Sequence, residues 1–291
     1  MGGRTDVPTH ESGRGAFMES MFGSNRIGLV ACIVMMGWLS VVLWLDSDGT
    51  LWLQRGLGVG TWAVLLLAIR RVTPIVRMQT AVVVAVATVV ECVASPTLEV
   101  YLYRFENVPM YVPPGHGLVY LSAFALGHTK FVQRHMRTCL ALVLVVGGLW
   151  AGHGLFFAER PDALGALWYA CLVGFILWGP SSAVYVGAFV VVSYLELVGT
   201  QLRNWVWQTV DPTGLVSIGN PPSGAAGGYG WFDLVALLAA PYLMSRLSLM
   251  SRLSLLSRLS RVWVRSHQED RPDDPRPDPL ADPRAGSVDA H

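Results

Sequence analysis

Four ionisable residues lie inside apolar stretches of the sequence, where they could do acid–base chemistry. They are Glu91, Glu196, His116 and His153. Burying a carboxylate in hydrocarbon costs several kcal/mol unless it is paired, hydrogen-bonded or protonated. A buried carboxylic acid and an imidazole can both exchange protons near neutral pH, so a histidine beside a desolvated glutamate could move protons on a lipid-like substrate. We therefore predict these four residues as catalytic candidates.

The predicted topology places these four residues at a similar depth, as one polar layer just below the outer surface. A metal site and a purely structural role are the alternatives for this layer. Two glutamates and two histidines are a ligand set that Zn, Fe or Mn accepts, but no HExxH or similar local spacing supports such a site, so no metal is assigned. In the structural role, Glu–hydroxyl and Glu–His hydrogen bonds tie helices together, with glycines on both sides of each histidine allowing close packing. The sequence names no cofactor.

The two glutamates have similar surroundings along the chain. Hydroxyl residues flank each at helical spacing, as Thr88 and Ser95 in one case and Ser193 and Thr200 in the other. Each helix is followed by an aromatic and polar segment and then by a Pro-Pro pair. This pattern predicts a tandem duplication of four-helix halves, related by a pseudo-twofold axis along the membrane normal. Chance recurrence in a chain rich in Val, Gly and Trp is the alternative.

The aromatic and polar segments supply the candidates for substrate binding. Aromatic residues at a helix end are first of all typical of an interfacial belt. Beside them, arginine and asparagine side chains could hold an anionic headgroup while the rings cover its apolar part. The candidates are Tyr101, Tyr103, Arg104, Arg203, Asn204 and Trp207.

Two long connections, 97–114 and 201–229, are predicted to cap a cavity, because they exceed ordinary connection lengths. The glycine-rich stretch from Gly219 to Gly230 lacks the Lys-Ser/Thr ending of a P-loop and predicts a flexible lid or re-entrant loop.

The elements that position these residues are apolar segments. The 291 residues are 53% hydrophobic and only 14% charged, which excludes an ordinary soluble protein. A helix needs about 20 apolar residues to cross a bilayer. Eight segments approach that length: 27–45, 51–69, 78–96, 115–129, 138–158, 163–178, 180–200 and 230–245. We predict an all-α, polytopic transmembrane bundle of about eight helices.

The predicted organisation has five parts. Residues 1–24 are a flexible cytoplasmic N-terminus, 25–130 the first membrane half and 131–245 the second. The near-repeated hexamer Ser-Arg-Leu-Ser-Leu-Met places a basic juxtamembrane helix at 246–265, where it would touch anionic lipid or a cytoplasmic partner. Residues 266–291 are rich in Pro, Asp and Arg and predict a disordered tail.

The distribution of cations predicts the orientation, because Lys and Arg near helix ends stay in the cytoplasm. With eight crossings and the N-terminus inside, fourteen of the 21 cations fall on the cytoplasmic side and only Arg55, Arg104, Arg160 and Arg203 on the other. We therefore predict a multi-pass cell-membrane protein with both termini in the cytoplasm. Its low lysine content favours a bacterial, GC-rich source.

The sequence excludes several classes of protein. A net charge of +1 excludes a basic nucleic-acid binder, and four cysteines in or beside apolar segments form neither a disulfide framework nor a CxxC site. No GxSxG, kinase or Rossmann motif occurs.

Three functions remain open. The first is an enzyme or binding protein for an envelope lipid or isoprenoid, with an outward-facing polar cavity. The second is a proton-coupled transporter and the third a structural subunit of a membrane complex. Membrane lipids and a lipid-like substrate are the predicted partners, and the oligomeric state is undetermined.

Overall fold

The computed structural model describes residues 25–269, with side chains from Arg26 to Met250, as helices joined by short loops and one small strand pair. The helices in this part of the chain are α1 (Asn25–Ser47), α2 (Leu51–Ile69), α3 (Pro74–Ala94), α4 (Val112–Gly127), α5 (Lys130–Arg134), α6 (Met136–Phe156), α7 (Ala163–Trp178), α8 (Ser182–Gln201) and α9 (Ala225–Glu269). The strands are β1 (Tyr101–Tyr103) and β2 (Trp205–Trp207). The predicted helical class is confirmed, while the strands were not predicted.

Six helices are long and apolar enough to cross a membrane: α1, α2, α3, α6, α8 and the Ala225–Met250 part of α9. Helices α4 and α7 have 16 residues each, fewer than the roughly 20 that a full crossing needs. Each of the eight predicted segments overlaps one of these eight helices, and only the five-residue α5 has no predicted counterpart. The number of crossings stays a prediction.

Polar residues mark several helix starts. The side chains of Thr50, Asp162 and Ser181 accept hydrogen bonds from backbone N–H groups three residues ahead, at 3.3, 2.9 and 3.4 Å. These caps satisfy donors that have no partner within the helix. Pro74 opens α3 in the first turn, where its missing N–H costs nothing.

Helix α4 lies at the centre of the bundle. Every residue from Pro114 to Ala123 is buried, and the helix packs against α1, α2, α3 and α8. Its closest approach is to α8: Gly187 lies against the carbonyl of Ala123, and Gly127 lies against that of Ala183. Because a side chain at either glycine would meet backbone, the two helices can pack this closely only with glycine there.

The two strands connect the ends of α3 and α8. They pair antiparallel, with Leu102 opposite Val206 at the centre. Before each strand the chain passes through one residue in the left-handed region, Glu99 with φ 51° and Arg203 with φ 58°. Such a residue commonly ends a helix, and here it turns the chain into the strand.

The second half of the glycine-rich stretch is helical, which corrects the prediction of a flexible lid or re-entrant loop there. Helix α9 begins at Ala225, inside the stretch, and glycines at and just before its start pack on α7. Gly224 and Gly227 lie against the backbone at Gly165 and Trp168, and Gly230 lies against the Phe175 ring. The missing side chains therefore serve helix packing, not flexibility.

The predicted terminal segments are only partly described. Residues 1–24 and 270–291 lie outside the described part of the chain. The predicted juxtamembrane helix at 246–265 falls within α9, whose backbone is helical to Glu269.

Candidate functional site

A cavity of about 470 Å³ lies beneath the strand pair, where the ends of α1, α3, α4, α7, α8 and α9 meet. Both glutamates and His116 line it, together with nine aromatic residues and several aliphatic ones. This size and composition are typical of a site for a small apolar molecule. The cavity lies between the segments predicted as the two halves.

Glu91 is held at the cavity wall by three groups. The hydroxyls of Tyr101 and Tyr103 donate to Oε2 at 2.7 and 2.8 Å, and Nε2 of His116 lies 2.8 Å from Oε1. Glu91 and His116 are each 5% exposed. The alternation of side chains along β1 turns both tyrosines to one face, so the strand presents two donors to the same carboxyl oxygen.

Glu196 has an arrangement of the same form with different chemistry. Nε1 of Trp205 and Nε1 of Trp207 donate to Oε2 at 3.0 and 3.1 Å, and the Tyr229 hydroxyl donates to Oε1 at 3.3 Å. Glu196 is 2% exposed. An indole N–H can only donate, so Oε2 is fixed as an acceptor, while Oε1 has a single, longer partner.

The two carboxyl groups are linked through an aromatic contact. The Tyr229 ring stacks on the His116 imidazole with centroids 5.0 Å apart, and Phe232 meets the same imidazole edge-on at 5.5 Å. His116 thus contacts Glu91 on one side and the Glu196 partner Tyr229 on the other. The site is one connected polar group inside an apolar wall.

The phenols of β1 act as hydrogen-bond donors. Burial, reinforced by the charge of Glu91, raises the pKa of Tyr101 and of Tyr103 above the usual value for tyrosine. Both hydroxyls therefore keep their protons at neutral pH.

Two buried aspartates fix the loops around the cavity. Asp46 accepts from Gln54, from the Tyr111 hydroxyl at 2.8 Å and from Asn204, and it is 0% exposed. Asp162 accepts from the backbone N–H groups of Gly165, Gly219 and Ser223 and from the Ser223 hydroxyl. Asp46 thus joins the turn between α1 and α2 to the segment before α4, and Asp162 joins the turn between α6 and α7 to the segment before α9.

The predicted binding residues separate into two groups. Tyr101, Tyr103 and Trp207 line the cavity, where they hold the carboxyls. Arg104 instead bonds the Gly49 carbonyl and lies 3.7 Å from Asp46. Arg203 is exposed on the left-handed turn, and the amide of buried Asn204 donates to the Leu43 carbonyl at 3.0 Å. Neither arginine nor Asn204 lines the cavity.

The structure brings three of the four predicted catalytic residues together. Glu91, Glu196 and His116 share the cavity, whereas His153 is exposed on α6 and contacts Phe157. The flanking hydroxyls do not bind the glutamate carboxyls: Thr88 donates to the Val84 carbonyl, and Thr200 donates to the backbone carbonyl of Glu196. The partners of the carboxyls come instead from the strands, from α4 and from α9.

Some site residues were missed at the sequence level. Tyr229 lies in the stretch predicted as a lid or re-entrant loop, and neither Asp46 nor Asp162 is among the candidates from the sequence. The spacing of Trp205 and Trp207, which matches that of Tyr101 and Tyr103, was the available signal for two parallel donors.

Metal ligation has no candidate in the described part of the chain. Among the described side chains, Arg26 to Met250, no group of three His, Cys, Asp or Glu is placed to hold a metal ion.

Comparison with known protein families, with curated proteins and with solved structures finds no match to this chain.

Proposed function

We propose that this protein is a membrane-embedded enzyme that moves a proton on a lipid-like, isoprenoid-type substrate held in the cavity. One observation carries the proposal: two buried glutamates from different helices face one aromatic-lined cavity, and one of them is hydrogen-bonded to an imidazole, which can exchange protons. An apolar wall selects an apolar substrate, and the glutamates supply the acid–base chemistry.

The unequal partners of the acids support different roles. Glu91 pairs with an imidazole, which can take up or release a proton, so Glu91 and His116 form the base. Glu196 has one oxygen fixed by two indole donors, which leaves Oε1 as the oxygen that carries and delivers a proton. The acid, Glu196, and the base, Glu91 with His116, line the same cavity.

The orientation belongs to the same proposal. The chain crosses the membrane eight times, with both termini in the cytoplasm and the cavity towards the outer face. The helix ends near the cavity carry Arg55, Arg104, Arg160 and Arg203. Within residues 26–244, the opposite helix ends carry seven cations, Arg26, Arg70, Arg71, Arg77, Lys130, Arg134 and Arg137. That distribution supports the orientation because cations are retained inside.

An internal duplication also belongs to the proposal. Positive-φ residues precede both strands, and two ring donors from each strand hold one carboxyl. The backbone bonds at the ends of the strand pair correspond as well: Arg104 N–H donates to Asn204, and Gln208 N–H to Val100. These equivalences support two related halves with the cavity between them.

The proposal is tested with Glu91→Gln and Glu196→Gln, which remove the acid while keeping size and hydrogen bonding. Each variant is expressed in a strain lacking the protein, and the extracted lipids are compared by mass spectrometry. We expect the lipid change caused by the deletion to persist with either variant. Glu99→Gln and Glu106→Gln, at exposed glutamates, are matched controls that should restore the wild-type profile.

Two outcomes would contradict the proposal. If both Glu91→Gln and Glu196→Gln fully restored the wild-type lipid profile, the two glutamates would have only a structural role. If liposomes that contain the protein moved chemically unchanged lipid across their membrane in response to a proton gradient, the protein would be a transporter.

A further inference from the structure

One residue that lines the cavity has a buried polar atom without a hydrogen-bond partner. Six described side chains have a buried polar atom without a hydrogen bond, and of these only His116, through Nδ1, belongs to a residue that lines the cavity. Its other ring nitrogen is held by Glu91. Leaving a buried polar atom unpaired costs free energy, so a bound molecule that supplies a partner is favoured at this point.

The remaining polar groups of the wall do not favour a charged ligand. Both glutamates already have three partners each. None of the described lining residues is Lys or Arg, and the nearby Arg104 is engaged with Gly49 and Asp46. A phosphate group would enter an apolar, acidic site with no counter-charge, which is costly. The site therefore favours an uncharged ligand.

The volume sets the size of the ligand. A water molecule takes roughly 30 Å³ of liquid volume, so the cavity of about 470 Å³ has room for about 16 groups of that size. A molecule with about fifteen carbons and one oxygen is of that size. A hydroxyl is the polar group that suits His116 best, because it pairs with Nδ1 whether that nitrogen carries a proton or a lone pair.

From these observations we infer that the cavity binds a neutral isoprenoid-type alcohol whose hydroxyl pairs with His116 Nδ1 while its hydrocarbon chain lies against the aromatic wall. This inference rests on the proposed function, and it replaces the anionic headgroup expected from Arg104 and Arg203 with an uncharged one. Glu91, which forms the base with His116 in the proposed function, then also orients the imidazole towards the hydroxyl.

The test compares farnesol with farnesene, a hydrocarbon of the same length without the hydroxyl. Binding to the full chain in nanodiscs is followed by quenching of tryptophan fluorescence, since several tryptophans line the cavity. His116→Gln leaves an amide nitrogen near the Nε2 position for Glu91 but removes Nδ1. Comparing the farnesol-to-farnesene affinity ratio between wild type and variant cancels the unequal partition of the two probes into lipid.

We expect this ratio to fall about five- to tenfold in His116→Gln, the loss of one hydrogen bond. It should stay unchanged in His153→Gln, at the exposed histidine. His116→Asn, whose amide lies near the Nδ1 position, should retain most of the wild-type ratio, and melting temperatures of all variants identify any folding defect. Farnesyl phosphate should bind more weakly than farnesol.

An unchanged ratio in His116→Gln, no farnesol binding to the wild type, or tighter binding of farnesyl phosphate would overturn the inference. Glu196→Gln distinguishes this failure from failure of the enzyme proposal, because it should fail to restore the wild-type lipid profile while keeping the farnesol preference. If Glu196→Gln kept the farnesol preference and also fully restored the lipid profile, the cavity would be a binding site and the proposed catalysis by Glu196 would be wrong.

Discussion

At the scale of single residues, the acids of this protein differ in what surrounds them. Glu91 is bound by phenols and an imidazole, and Glu196 by two indoles and a phenol. Asp46 and Asp162, by contrast, hold loop backbone and neighbouring side chains. A buried carboxylate that bridges two segments stabilises both, so its removal is costly.

Asp162→Asn should lower the free energy of unfolding by about 1 to 3 kcal/mol. Oδ2 accepts from both the N–H and the hydroxyl of Ser223 at 2.6 and 2.7 Å, and an amide nitrogen there would face two donors. The measurement is equilibrium unfolding in mixed micelles. Asp48→Asn, at an exposed aspartate, is the control, and equal stability of the two variants would contradict this account of Asp162.

Trp207→Phe should also destabilise the protein, by about 1 kcal/mol, because one indole donor to Glu196 is lost. Trp178→Phe changes a residue that is 82% exposed and should leave the unfolding midpoint in the same micelles unchanged. If the two substitutions shifted the midpoint equally, the Trp207 hydrogen bond would contribute nothing to stability.

At the scale of elements, glycine contacts and the strand pair place the helices. Helices α4 and α8 meet backbone to backbone at Gly127 and Gly187, and α7 and α9 do so at Gly224 and Gly227. The strand pair holds the ends of α3 and α8 together. These contacts set where the two glutamates lie.

Gly187→Ala should destabilise the protein by about 1 to 3 kcal/mol through overpacking, since the new methyl group meets the Ala123 carbonyl. Gly56→Ala is the matched control: nothing lies within 4 Å of its added carbon, and alanine favours a helix by up to about 1 kcal/mol. Thermal unfolding in nanodiscs should therefore move in opposite directions. A stabilised Gly187→Ala would refute the close contact.

The strand register predicts a specific disulfide. Leu102 and Val206 are opposite each other, and paired strand residues have a Cα separation of about 5.5 Å, within the range for a disulfide. Leu102→Cys with Val206→Cys, in a chain whose four natural cysteines are replaced by serine, should form a cross-link on mild oxidation, detected by peptide mass spectrometry. Leu102→Cys with Val210→Cys should not. The reverse result would mean another register.

At the scale of the whole molecule, the fold between residues 25 and 244 places both long connections at one end of the helices. The segments after α3 and after α8 meet in the strand pair, and the loops around α5 lie at the other helix ends. One labelling experiment can therefore test on which side of the membrane each set of loops lies.

Labelling with a membrane-impermeant maleimide should place both connections outside. Single cysteines at Glu106 and Leu215, both exposed, should react in intact cells, each in the cysteine-free chain. A cysteine at exposed Gln133 should react only after the cells are permeabilised. Labelling of Gln133→Cys in intact cells, with the other two protected, would invert the proposed orientation.

The helices and the two glutamates were within reach of the sequence, because their signals are local. Each apolar run coincides with a helix, although the last helix continues to Glu269, well beyond the predicted end at residue 245, and the spacing around Glu91 and Glu196 marked two buried acids. The only signal that placed His116 near Glu91 was their similar predicted depth in the membrane. Depth says nothing about rotation around the bundle, which is why His153 was grouped with them although it is exposed.

Local patterns along the chain specify a set of apolar helices that carry two acids near corresponding ends, since periodicity and burial cost act within one segment. The partners of these acids follow from tertiary packing: the tyrosines and tryptophans of two paired strands, and Tyr229 from a glycine-rich helix start. Such choices depend on which segments meet and on a strand register of only three residues. No pattern along the chain encodes that meeting, because it results from packing between distant segments.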